Sequence, residues 1–210
     1  MADMKVKRLV LGAASTNCYI VYNEGSTEGL VIDPADLGEK IHIEMEKMGL
    51  KCVGILLTHG HFDHIKGAKR LQQLSEAKIY AYEEEKEICE DPQKNVSKIF
   101  GATYTLTPDC YFKDNEEFDM AGFHVKVLHT PGHTIGGCCY YMAEQNVVFC
   151  GDTIFQQSVG RSDFATGSAS QLIRSIKDKL LPLPDETVLF PGHGEATTVG
   201  DEKVYNPFCQ

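Results

Sequence analysis

Residues 5–11, 18–22 and 30–32 are short apolar or alternating runs separated by Gly, Asn and Ser, a pattern that predicts strands joined by turns. Leu37, Ile41, Met45 and Met48 then recur at helical spacing, and Gly49 closes the predicted helix. Residues 52–57 are continuously apolar, as in a buried strand. That run stops abruptly at Thr58-His59-Gly60-His61-Phe62-Asp63-His64, after which a second helical stripe passes through Ile65, Ala68, Leu71 and Leu74. A polar middle section follows. Strands are predicted again at 125–128, 138–142 and 147–150, then a helix through Leu172, Ile173, Ile176 and Leu180, and a last strand at 187–190. Strands dominate and each half supplies its own helices, which fits an α+β fold of two sandwiched sheets covered by helices. No linker, repeat or low-complexity tract divides residues 1–210, so the chain reads as one domain.

Composition narrows the functional classes. No run approaches the roughly 20 apolar residues of a membrane span. Near the start, Lys5, Lys7 and Arg8 interleave with Val6 and Leu9, leaving an apolar segment too short for a signal peptide and better suited to a strand. The expected location is cytoplasmic. A net charge of −10 with no basic cluster excludes a phosphate-backbone partner. The expected partner is a small molecule, with no nucleic acid and no membrane, and the chain a monomer or homodimer. The eight cysteines are scattered without a CxxC pair, and several lie in apolar runs, as buried reduced thiols do.

The chemistry concentrates at strand ends. Three histidines and an aspartate fall within residues 58–64, in a chain with eight histidines in all. Imidazole and carboxylate are ligands for zinc, iron or manganese. Gly60 lets the turn tighten so that His59 and His61 converge on one ion, while Asp63 and His64 point at a second. Three more segments repeat the order of strand, glycine turn and ligand: His129-Thr130-Pro131-Gly132-His133-Thr134, Cys150-Gly151-Asp152-Thr153 and Pro191-Gly192-His193-Gly194. Functional groups gather at such strand ends.

In this order, HxHxDH, HTPGHT, GDT and PGHG resemble the metallo-β-lactamase-fold hydrolase superfamily, and within it the sequence is most similar to the short glyoxalase II-like thioesterases. The resemblance implies a four-layer αββα sandwich with metals along one edge. It implies that His59, His61 and His133 hold one metal, that Asp63, His64 and His193 hold another, and that Asp152 is shared. Two divalent ions are expected, zinc first, with iron or manganese as alternatives. They would outweigh the two aspartates and a bridging hydroxide, which would attack a thioester carbonyl of the S-lactoylglutathione type. Asp63 would orient that hydroxide.

Arg161, in the SVGRSDF segment, is a candidate for a substrate carboxylate, or for bracing its loop through Asp163. Tyr140 and Tyr141 are candidates for substrate contact, or for core packing. His129 is read as supporting structure, and His42 and His124 as surface or boundary residues. His193 stands near the end of the 210 residues, so the helical glutathione-binding domain of full-length glyoxalase II is not expected. Dizinc β-lactamases usually carry cysteine at the position of Asp152 and lack His64. Nucleic-acid-processing branches need an inserted domain, and flavodiiron proteins replace His61. A lactonase and a mononuclear iron persulfide dioxygenase, using residues matching His59, His133 and Asp152, remain the rival activities. A binding module without catalysis is the third class, against which the complete ligand set argues.

Overall fold

A computed structural model describes residues 3–210. The strands are β1 (Met4–Leu11), β2 (Thr16–Asn23), β3 (Glu28–Ile32), β4 (Lys51–Leu56), β5 (Ile79–Tyr82), β6 (Cys110–Phe112), β7 (Glu117–Met120), β8 (Phe123–His129), β9 (Cys138–Met142), β10 (Val147–Gly151), β11 (Ile154–Phe155), β12 (Ser158–Val159), β13 (Val188–Pro191) and β14 (Thr197–Thr198). The helices are α1 (Gly38–Lys47), α2 (Phe62–Ile65), α3 (Ala68–Ser75), α4 (Lys86–Glu90), α5 (Ala169–Ser175) and α6 (Val199–Tyr205). One sheet runs β1-β2-β3-β4-β5-β6 and the second β14-β13-β10-β9-β8-β7, with β11 and β12 forming a small separate hairpin.

The alternation along the strands builds the layers. In β2, Tyr19 and Val21 face the second sheet, while Cys18 and Ile20 face the helices outside. In β10, Val147 and Phe149 face inward and Val148 and Cys150 outward. The central layer therefore joins Tyr19, Leu30, Ile32 and Leu56 to Phe123, Val127, Tyr140 and Phe149. Helices α1 and α3 cover the first sheet through Ile41, Met45 and Leu71. Helices α5 and α6 cover the second through Leu172 and Val199, helped by Ile176 and Leu180 in a π-type turn that continues α5. Each fully buried aliphatic side chain contributes roughly 1.5–3 kcal/mol of transfer free energy. The result is the αββα sandwich.

Helix α1 ends as its glycine predicts. Gly49 takes φ +70° and donates to the Glu46 carbonyl, and Leu50 donates to Met45, the paired bonds of a Schellman cap. Two boundaries differ from the periodicity. Leu37 precedes α1 in a left-handed conformation and is exposed rather than part of the stripe. The stripe from Ile65 to Leu74 is broken into α2 and α3 at Gly67, whose amide donates to Ala35 and where a Cβ would lie 2.0 Å from the Pro34 carbonyl. The polar middle section contains β5, β6 and β7, too short to show a period. Six of the cysteines are buried, and all eight are free thiols. No helix among the described residues is long and apolar enough to cross a membrane.

Candidate metal centre

Parallel alignment brings the ligand-bearing turns to one edge. Strands β8 and β10 both pair antiparallel with β9, so their carboxyl ends point the same way, and β13 runs parallel to β10. His133 follows β8, Asp152 follows β10, and His193 follows β13. From the other sheet, β4 delivers His59 and His61, and the first turn of α2 presents Asp63 and His64.

All seven expected donors meet. His133 Nε2 lies 2.8 Å from His61 Nδ1 and 3.2 Å from His59 Nε2. Asp63, His64 and His193 form a second group, and within each group the donor atoms lie within 4.8 Å of one another. Asp63 Oδ2 is 3.3 Å from His193 Nε2 and 3.7 Å from His64 Nε2. Asp152 spans both groups: Oδ1 is 3.3 Å from His64 Nε2, and Oδ2 is 3.5 Å from both His133 Nε2 and His193 Nε2. The first group is buried, whereas the Asp63 and His193 side chains retain 26% and 29% exposure, so the second group faces the entrance.

Supporting hydrogen bonds settle which ring nitrogens are free. His133 Nδ1 donates to the Arg161 carbonyl at 2.6 Å, leaving Nε2 without its proton in the neutral ring. Asp33 does the same for His64, accepting from Nδ1 at 2.9 Å. It also accepts from the Thr58 amide and, at 2.6 Å, from the Thr58 hydroxyl, whose oxygen then faces His59 Nδ1 at 3.1 Å. Thr16 donates its hydroxyl to Asp63 Oδ2 at 2.8 Å. Asn17 and Tyr19 hold the Pro191 carbonyl, bracing the turn that carries His193. Asp33, Thr16 and Asn17 were not singled out from sequence. The available signal for Asp33 was its place after the apolar run 30–32, the same strand-end position the other ligand segments occupy. Asp33 also lies close enough to His59 and His64 to share an ion, but its oxygens already accept these three hydrogen bonds.

The donor chemistry fits cations. Buried His64 Nε2 and Asp152 Oδ1 have no hydrogen-bond partner, the condition expected of atoms reserved for an ion. Buried His61 Nε2 also lacks one. Burial, reinforced by neighbouring imidazoles, pushes His61 down to about 3, and burial likewise lowers His59 and His133, so these rings are neutral, the form that ligates metal. Burial opposes charge on Asp152 and Asp63 too, but the histidines around them prevail. Asp152 falls to about 2 and Asp63 is held well below the usual carboxylate range. Burial also lowers His64 and His193, yet the aspartates overcome it and shift both upward. Two ionised carboxylates thus draw positive charge to this edge.

A cavity of about 430 Å³ opens beside Asp63, walled by Gly12, Ala13, Phe62, Lys66 and Phe100. The other candidates lie elsewhere. Tyr140 is fully buried between the sheets and donates its hydroxyl to the Leu57 carbonyl at 2.7 Å, and Tyr141 packs on the opposite, helix-covered face. Substrate contact by either is corrected to core packing, because consecutive strand residues point into the two hydrophobic layers. Arg161 closes on Asp163 with two 2.7 Å hydrogen bonds and lies 3.9 Å over the Phe164 ring, which in turn meets His61 edge-on. This exposed pair takes up its fork, so Arg161→Ala should change kcat/KM by less than about threefold. A steady-state comparison checks this, and a KM rise above about tenfold would restore substrate contact. His129 stacks on Tyr82 and bonds to the Ile135 carbonyl, a structural role. His124 pairs with Asp119 and His42 with Glu46, away from the donors.

The family described as the metallo-beta-lactamase superfamily matches residues 11–193. The hydroxyacylglutathione hydrolase GloC of Haemophilus influenzae is 34% identical, the match covering 98% of each chain. The crystal structure of the BLEG-1 B3 metallo-beta-lactamase superposes with a TM-score of 0.93 at 35% identity, covering 98% of this chain and all of that one. That of TTHA1623 in a di-iron-bound form gives 0.85 at 33% identity, covering 97% and 100%. A protein named as a metallo-beta-lactamase thus stands as near to this chain as one named as a hydroxyacylglutathione hydrolase.

Proposed function

The chain belongs to the metallo-β-lactamase superfamily, and from that premise we propose that it is a dinuclear metal-dependent hydrolase of the glyoxalase II type, acting on a small acylated thiol. The observation that carries this reading is Asp152, whose two carboxylate oxygens stand between two separate groups of ligand atoms. His59, His61 and His133 would hold one ion and Asp63, His64 and His193 the other. A di-iron-bound relative at 33% identity supports two ions rather than one. When bound, such ions acidify water and polarise a carbonyl oxygen.

The chain's own groups do the rest. Asp63 is kept ionised, and Thr16 fixes its Oδ2, so the carboxylate can accept a hydrogen bond from a water and orient it. The partly exposed His193 and Asp63 meet the substrate side, and the cavity walled by Phe62 and Phe100 receives the apolar part of the acyl-thiol. With His64 and His193 serving as ligands, no neutral acid stands among the seven donors. That suits a thiolate, which leaves without a proton.

The test is hydrolysis of S-lactoylglutathione and of a glutathione-free acyl thioester, with a β-lactam as comparison, before and after treatment with a chelator. Thioester turnover should fall by more than about a hundredfold on chelation and return with zinc or iron. Turnover unaffected by metal removal would overturn the proposal. Preference for the β-lactam, or oxygen uptake with a persulfide, would reassign the substrate.

A further inference from the structure

Glu85 is fully buried at the end of the turn after β5, while its neighbours Glu83 and Glu84 face solvent. Its Oε2 accepts from the Gly60 amide at 2.6 Å. Its Oε1 accepts from the Gly136 amide at 2.9 Å and from the Thr134 hydroxyl. Gly60 stands between His59 and His61, and Thr134 directly follows His133. One carboxylate thus ties together two loops, from different sheets, that carry every histidine of the first donor group.

The glycines make this approach possible. A Cβ on Gly60 would lie 2.9 Å from both Glu85 Oε2 and Cys89 Sγ, and one on Gly136 would lie 2.5 Å from the Glu85 amide nitrogen. Room for Glu85 and Cys89, rather than turn tightening, is what requires glycine at position 60, which has no positive φ. Burying a carboxylate is costly unless hydrogen bonds satisfy it. Here all three partners are donors. Glutamine cannot replace it cleanly, because whichever way its amide turns, its NH₂ faces a backbone N–H.

We propose that Glu85 is a positioning residue for the first metal site, fixing the spacing of the 58–61 and 130–137 loops so that His59, His61 and His133 converge. This rests on reading those histidines as ligands. The experiment titrates full-length wild-type, Glu85→Gln and Thr134→Val proteins with cobalt(II) alone, following its visible spectrum against a competing chelator. Amide hydrogen exchange is measured at Gly60 and Gly136 in the same metal-free proteins. Glu85→Gln should weaken cobalt at the first site about tenfold or more, leave the second site closer to wild type, and speed exchange at one or both glycines. Thr134→Val, which removes one hydroxyl and little volume, should give a smaller loss in the same direction. Wild-type affinity and exchange in Glu85→Gln would overturn the proposal. If that variant does not fold, wild-type affinity in Thr134→Val would overturn it. Failure of the wild type to take up cobalt would instead defeat the metal reading, and the exchange rates would then decide whether Glu85 fixes the two loops.

Discussion

Asp152→Ala is expected to lower kcat/KM by about a thousandfold or more while leaving the fold intact. The residue sits in the turn after β10, and its side chain joins no hydrophobic cluster. Its oxygens reach His64 on one side and His133 and His193 on the other, so alanine would remove from both proposed ion sites the one ligand they would share. A thousandfold loss corresponds to about 4 kcal/mol of transition-state stabilisation, within what charge-stabilising groups at metal sites supply. Circular dichroism should be unchanged, and bound metal should fall below that of the wild type. An Asp152→Ala protein with full turnover and undiminished metal would remove the basis for the site.

Gly192→Ala should be nearly as damaging, although it deletes no ligand. A Cβ at this position would stand 2.2 Å from Asp152 Oδ1 and 2.5 Å from His64 Cε1, in the middle of the donor cluster. The methyl group cannot be accommodated without moving the shared carboxylate or the turn that carries His193. That turn has little freedom, since the Gly192 carbonyl accepts from the Asn17 amide at 2.7 Å and its amide donates to Gly151. A displacement of about 1 Å at reacting groups costs on the order of a hundredfold in rate. Kinetics and metal content of the folded variant measure this. Wild-type kcat/KM would show that the 191–194 turn is not part of the working site.

The seven donor residues that the structure brings together were legible in the sequence because each sits in a motif: a dense histidine cluster, or a glycine turn at the end of an apolar strand. The strands of the sandwich were legible where an apolar run is long enough to mark a buried strand, as in 138–142, which is reproduced to the residue. Tyr140 and Tyr141 remained open because a two-residue period says that they face opposite ways, but not which face meets the site. Asp33 and Glu85 escaped for a different reason. Each acts through contacts with distant loops, and nothing local separates Glu85 from Glu83 and Glu84. Only the packing of the β5 turn against the loop between β8 and β9 shows which glutamate turns inward. Gly67 shows the same limit, since the helical stripe continues past it while its amide turns to the Ala35 carbonyl and the Pro34 carbonyl passes where a Cβ would stand.

The most direct test of the two-metal account is the metal-to-protein ratio of untagged protein purified without chelator, measured by elemental mass spectrometry. The account predicts two ions per chain, whether zinc, iron or manganese. One tightly held iron per chain that stays single when metal is added would contradict it and point to oxygen chemistry on persulfides.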